Sequence, residues 1–313
     1  MKTSESYLPE GSRGALPAVQ RALASLDGLR RAQEEGIILE AVAQRCSPAH
    51  DLLFDFGFAR GVMPRSCCAL GVAEGETREI AILSRVGKPT CFVVTEIEQD
   101  GAALPTVWLS RTIVQQRAQD TLLDTLRPGD VIPAAVTHLE PFGAFVDVGC
   151  GVTSLIGIEN LSVSRIYHPS DRVCVGQSVY AAVRAVDRAA RRITLTHREL
   201  LGTWEQNAAL FSVGETVRGV VRSVEPYGVF IELAPNLSGL AEPREGLAAG
   251  TAVSVYIKSI LPQRMKIKLA VIDVLAARAA PAPPPYFITE GHIGEWVYTP
   301  ACCERKYIAT VFE

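Results

Sequence analysis

Nowhere in these 313 residues do the roughly 20 consecutive apolar side chains needed for a membrane-crossing helix occur. The N-terminal stretch Met1 to Gly14 is polar and carries acids, which is the wrong chemistry for a secretory leader. Both observations lead to an expected cytoplasmic, membrane-free location. The chain also lacks the GxSxG, HExxH and phosphate-loop patterns that announce common catalytic centres. Its eight cysteines, at 46, 67, 68, 91, 150, 174, 302 and 303, include no CxxC pair. The adjacent pairs Cys67-Cys68 and Cys302-Cys303 suit a tetrahedral metal site poorly, so reduced thiols are expected, with a metal held by Cys302, Cys303 and His292 as the alternative. An excess of one charge is missing too. The net charge is −3, with 13 basic and 16 acidic residues in 1–126, 8 and 7 in 127–202, and 7 and 6 in 212–274. The later segments are each close to +1, a balance that does not predict tight, salt-steered binding to a polyanion.

What the chain does have is an internal repeat. Residues 136–148 read VTHLEPFGAFVDV and residues 221–233 read VRSVEPYGVFIEL, an offset of 85 that preserves Glu-Pro-aromatic-Gly-x-Phe-aliphatic-acid in order. A turn and a valine run precede each copy, RPGDVIPAAV and SVGETVRGVV. Ser154-Leu155 and Gly239-Leu240 follow, and each copy closes on a basic strand, Arg191 to Leu195 and Met265 to Leu269. Alternation puts Phe145, Asp147 and Gly149 on one strand face and Ala144, Val146 and Val148 on the other. Gly143 and Gly228 interrupt strand-like patterns, as glycine does where a strand bulges or curls sharply. Five short strands in about 70 residues with such a curl predict a small closed barrel of the oligonucleotide-binding (OB) type.

A fainter third copy lies upstream, with strands expected at Gly36–Val42, Leu52–Gly57, Arg60–Pro64, Ile80–Leu83, Cys91–Ile97 and Val107–Arg111. Leu16–Glu35 reads as one amphipathic helix, and Thr112–Leu126 and Arg198–Phe211 as helical linkers. Ala280 to Pro285 reads as a stiff extended linker. The aromatic, β-branched tail from Tyr286 onward predicts a docked hairpin, with Trp204, Trp296 and Tyr298 as packing residues. The predicted fold is mostly β: three tandem five-stranded OB-type barrels with short helical linkers and a C-terminal hairpin-like tail.

The last two repeats resemble the S-one RNA-binding domains, named for the largest protein of the bacterial small ribosomal subunit. The resemblance rests on Gly129-Asp130, Phe142-Gly143-Ala144-Phe145-Val146-Asp147, Ser154-Leu155-Ile156-Gly157, Val175-Gly176 and Arg192-Ile193-Thr194-Leu195-Thr196. Through Asp55-Phe56-Gly57 and Gly61-Val62-Met63-Pro64, the first unit resembles the divergent leading domains of the same protein. The tail GHIGEWVYTPACCE is similar to the terminal segment of clostridial S-one proteins. The implied domains are a divergent one at 36–117, two further ones at 127–202 and 212–274, and a linker and tail at 275–313.

The resemblance implies single-stranded RNA laid over a barrel face, its bases stacked on Phe142, Phe145, Tyr227 and Phe230. Arg192, Lys266 and Lys268 would meet phosphates from the closing strands. The expected partner is a messenger RNA near the small ribosomal subunit, the chain is expected to be a monomer, and neither cofactor, metal nor catalytic residue is expected. Where the family has a histidine on its third strand, this chain has Pro64, Gly157 and Glu242, and a glutamate there repels phosphate. The first unit lacks the aromatic-Gly-x-Phe element, with no stacking pair near Pro48–Leu52, so it is expected to be structural or protein-binding. Phe145 and Phe230 could instead serve their barrel cores, and Arg192 and Lys266 could be solvated charges without a partner. His138 and His168 read as surface residues. Two functions therefore stand: a non-catalytic, weakly sequence-selective RNA binder, and a protein-interaction scaffold of barrels that have lost RNA affinity.

Overall fold

Alternating apolar residues close into sheets throughout the computed structural model, which describes residues 7–99, 101, 103–275 and 284–313. The chain divides into two units, Met1–Thr125 with Asp147–Thr153, and Leu126–Val146 with Ser154–Glu313. No helix among the described residues is long and apolar enough to cross a membrane.

The first unit begins with α1 (Pro17–Leu23) and α2 (Leu26–Glu35), not the single helix expected. Ser25 breaks the run: its backbone is extended and its hydroxyl accepts from the Gly28 N–H, so it caps a new helix. Gly36, at φ 62°, ends α2 in the left-handed conformation that glycine reaches without strain. Strands β1 (Leu39–Val42), β2 (Arg45–Cys46), β3 (Leu52–Asp55), β4 (Arg60–Met63), β5 (Pro89–Glu98) and β6 (Thr106–Ser110) form one sheet in the order β1-β5-β6-β4-β3-β2. The two edges, β1 and β2, are successive pieces of one broken strand. Ala43 donates to Lys88 O on one side and Gln44 to Leu53 O on the other. The expected first strand is thus split in two. Ile80–Leu83, expected as a strand, is the short helix α3, with its N–H groups bonding back to Glu79 and Arg78. Four apolar residues carry no periodicity that separates the two states. Helix α4 (Thr112–Thr125) follows β6. Buried Glu10 takes Arg111 Nε and Nη2 at 2.7 and 2.9 Å, together with Arg85. Burial pushes its carboxyl up, yet those two cations hold it below the usual range.

The second unit holds two closed barrels of five strands. One is β7 (Val131–Glu140), β8 (Gly143–Asp147), β9 (Thr153–Gly157), β10 (Ser178–Asp187) and β11 (Arg192–Thr196). The other is β12 (Thr216–Glu225), β13 (Gly228–Ala234), β14 (Leu237–Ala241), β15 (Ala252–Leu261) and β16 (Lys266–Val274). Ala144, Val146 and Val148 are buried, as their alternation predicts. Between the barrels run a short 3-10 turn, Arg198–Leu201, and α5 (Trp204–Ala208), whose cap Thr203 exchanges hydrogen bonds with Gln206.

The tail forms the expected hairpin, β17 (Glu295–Val297) paired with β18 (Ala309–Val311). Trp204, Trp296, Tyr298 and Phe312 share one buried cluster with the β12–β16 core. Each such large side chain contributes about 1.5–3 kcal/mol by leaving water. Tyr298 Oη donates to Asn236 O at 2.6 Å, and Asn236 Nδ2 donates to the carbonyls of Arg198 and Gly202. Apart from Pro284 and Pro285, the proline-rich stretch Ala280–Pro285 lies outside the described residues.

His197 is fully buried, with Nδ1 2.8 Å from Leu161 O and Nε2 3.0 Å from Tyr286 Oη. Burial pulls its pKa from near 6.5 to about 4; Arg172 adds to that, while the Leu161 carbonyl and Glu199 oppose it. The unfolded imidazole therefore binds a proton that the folded one refuses between those two values. Stability of this unit should fall as pH drops from 6.5 to 4, by on the order of 3 kcal/mol from this group. Denaturant midpoints across that window check this, and His197→Gln should flatten the slope.

Candidate nucleic-acid interface

Strand register assembles the candidate face of the third barrel from residues distant in sequence. Phe230 on β13 stands opposite Ser223 on β12 and Leu240 on β14. Leu240 pairs in parallel with Lys268 on β16, which lies opposite Ser259 on β15. One row across the outer surface thus runs Ser223, Phe230, Leu240, Lys268. In the second barrel the same positions are His138, Phe145, Leu155 and Thr194, with Leu155 paired to Thr194. Register also makes Arg192 and Lys266 equivalent, two residues before that row.

Each row carries an aromatic pair of one geometry. Phe142 lies edge-on to Phe145 at 5.9 Å and 87°, and Tyr227 to Phe230 at 6.2 Å and 87°. Phe142 and Tyr227 are 55% and 68% exposed, while Phe145 and Phe230 are half-buried outside the interior. Neither aromatic pair is spent on a core. The glycine between them is required by close approach. A Cβ on Gly143 would sit 2.5 Å from Ile156 O, and one on Gly228 2.6 Å from Ala241 O. With no side chain there, the neighbouring strand comes in tight and the flanking rings project outward.

Arg192, Lys266 and Lys268 are exposed and make no ion pair among the described residues. Two further cations, which the sequence reading missed, sit at matching β-bulges. Arg184 lies between Val183 and Ala185, and Lys258 between Ile257 and Ser259, each unpaired in the ladder. Arg184 bonds Asn160 Oδ1 at 2.8 Å. Lys258 reaches Glu242 at 2.9 Å, and its hydrogen bond and charge hold that carboxyl below its ordinary value. The repulsive glutamate is therefore matched by a lysine. His138 also joins the face, its ring stacked 6.3 Å from Phe145 and its Nε2 2.8 Å from Glu140.

The first unit places different residues on the equivalent row: Leu53 opposite Val62, and Val62 opposite Trp108. Trp108 is half-buried and its indole N–H has no partner among the described residues. Phe56 and Phe58 stack at 6.4 Å, but in the turn after β3. Among the described residues no group of three or more His, Cys, Asp or Glu could hold a metal ion. His292 is bonded to Asp130 at 2.8 Å.

A family model of the S1 RNA binding domain matches residues 125–198, which include the β7–β11 barrel. Small ribosomal subunit protein bS1 of Staphylococcus aureus is 33% identical over 181 residues, covering 53% of this chain and 46% of that protein. The bS1 of Staphylococcus saprophyticus is 31% identical over 192 residues, covering 56% and 49%. The chain spans about half the length of the curated relatives it matches. Among solved structures, a multidomain protein with nucleic acid binding domains from Streptococcus pneumoniae aligns weakly, at 13% identity and a TM-score of 0.26, over 76% of this chain and 73% of that one. The relatives named here are staphylococcal, and the likeness of the tail to clostridial proteins remains a resemblance. Residues 125–198 match the S1 RNA binding domain, and over more than half its length the chain is similar to small ribosomal subunit protein bS1.

Proposed function

We propose that this protein is a non-catalytic binder of single-stranded RNA, with low sequence specificity, acting beside the translation machinery in the cytoplasm as a monomer. Messenger RNA is the proposed ligand and the small ribosomal subunit the proposed setting. The observation that supports this most is the aromatic pair repeated at one geometry in two barrels, with exposed Arg192 on one closing strand and Lys266 and Lys268 on the other, none of them in an ion pair among the described residues. Stacking on such rings is worth about 1–3 kcal/mol per base and accepts any base. Arg192, Lys266 and Lys268, joined by Arg184 and Lys258, neutralise phosphates without reading sequence. Two weak faces on one unit gain affinity through effective concentration. The second reading, a protein-contact surface, is favoured for the first unit alone, because its row of Arg45, Leu53, Val62 and Trp108 carries no edge-to-face aromatic pair among the described residues.

The test is fluorescence anisotropy of a labelled strand of about 20 nucleotides, a length suited to two OB barrels, with duplex RNA as the control. Saturable binding to the single strand alone is expected, with a log–log salt slope no steeper than about −4 from five cations. No binding into the tens of micromolar would favour the scaffold.

A further inference from the structure

The two barrels of the second unit differ most in one connection. Equivalent strands lie 85 residues apart at β7 and β12, but 74 apart at β10 and β15. The extra residues of the second barrel fall in the segment after β9, and they build the seam with the third barrel. Val163 N donates to Asn236 Oδ1 at 2.9 Å, Ser164 N to Pro235 O at 3.1 Å, and the Ser164 and Ser238 hydroxyls meet at 2.9 Å. Arg172 anchors the far end of the segment on Glu232 with two bonds of 2.8 Å.

Between these anchors the segment turns two side chains outward. Ile166 points into the protein, while its neighbours Arg165 and Tyr167 are exposed, the tyrosine 56% so. The Arg165 guanidinium carbon lies 5.6 Å from the Tyr167 ring centroid. The backbone beneath is fixed: Tyr167 N donates to Asp171, and His168 Nδ1 accepts from Ser170 N. Neither the Arg165 guanidinium nor the Tyr167 hydroxyl has a hydrogen-bond partner among the described residues. An exposed cation–π pair adds little to folding. A solvent-facing ring on a hydrogen-bonded turn, beside a guanidinium without a hydrogen-bond partner among the described residues, is instead what a stacked base and its phosphate require.

We propose that Arg165 and Tyr167 form a third single-stranded RNA subsite at the seam of the two barrels, stacking a base on Tyr167 and holding its phosphate with Arg165. This rests on the RNA-binding reading above. The subsite engages a strand long enough to pass from one barrel to the other and is idle for a strand that fills one barrel.

The experiment uses the full chain with Tyr167→Trp and Tyr167→Ala. Because Tyr167 is exposed, neither change should disturb folding, which circular dichroism checks. A strand of about 20 nucleotides should quench the added Tyr167→Trp emission with the same midpoint as anisotropy. Tyr167→Ala should weaken that strand about fivefold or more and leave a strand of about 6 nucleotides unchanged. Normal binding of the long strand with unquenched emission and unaltered Tyr167→Ala affinity would overturn the subsite alone. Equal losses for both lengths would overturn its bridging role. Failure of the unaltered protein to bind either strand would overturn the RNA reading itself, and the subsite with it.

Discussion

Glu232→Ala should destabilise the second unit by about 3–5 kcal/mol, the cost of stranding buried charge. Glu232, Arg172 and Arg222 are all buried. Arg222 Nε and Nη2 lie 2.8 and 3.1 Å from the carboxylate that Arg172 already grips, and Arg222 also faces Asp171 at 3.5 Å. Burial alone would raise the Glu232 carboxyl, but the hydrogen bonds and charges of Arg172 and then Arg222 hold it below its ordinary value. Its contribution is therefore present above the usual glutamate range near 4.5 and is lost as pH falls through the lowered folded value. Removing the carboxylate leaves two guanidinium groups with their main partner gone. Removing Arg172 leaves the carboxylate still paired with Arg222, so Arg172→Ala should cost less. Trp204 and Trp296 are buried in this unit and Trp108 is in the other, so urea unfolding read by fluorescence in a Trp108→Phe background isolates the effect. A loss under about 1 kcal/mol, the value of an exposed pair, would contradict the account.

That ion network explains why part of the molecule was readable in sequence and part was not. The repeat at offset 85 was legible because curling a strand at glycine and exposing the ring before it are local demands. Gly143 and Gly228 answer them within a few residues. The Phe142, Phe145, Tyr227 and Phe230 positions follow from the same local pattern, as does the hairpin closed by Trp296 and Tyr298. The seam follows from no local rule. Arg172 meets Glu232 across 60 residues, and Asn236 meets Val163 across 73. Nothing near either partner in the chain marks the contact. Arg184 and Lys258 escaped notice because a bulge is an irregularity of register, visible only when both strands are paired. The split at Ala43–Gln44 and the helix at Ile80–Leu83 were hidden for a related reason: short apolar runs take the conformation their tertiary partners impose. Glu242 was read as a bare negative charge because Lys258 lies 16 residues away on another strand.

Phe142→Ala combined with Tyr227→Ala should weaken single-stranded RNA binding by more than tenfold and leave the fold intact. Each ring is the exposed member of its edge-to-face pair, so its loss removes a stacking surface without opening a core. At about 1–3 kcal/mol per stacked base, two losses come to at least about 2 kcal/mol, roughly thirtyfold, which clears the tenfold threshold. The edge-to-face contact forfeited with Phe145 or Phe230 is worth about 0.5–1.5 kcal/mol, so a small drop in melting temperature is expected. The decisive measurement is anisotropy of the labelled single strand titrated with this double variant beside the unaltered protein, at one salt concentration. A loss exceeding tenfold, with far-ultraviolet dichroism preserved, is the predicted result; equal affinities would contradict the account and take these rings out of the binding site.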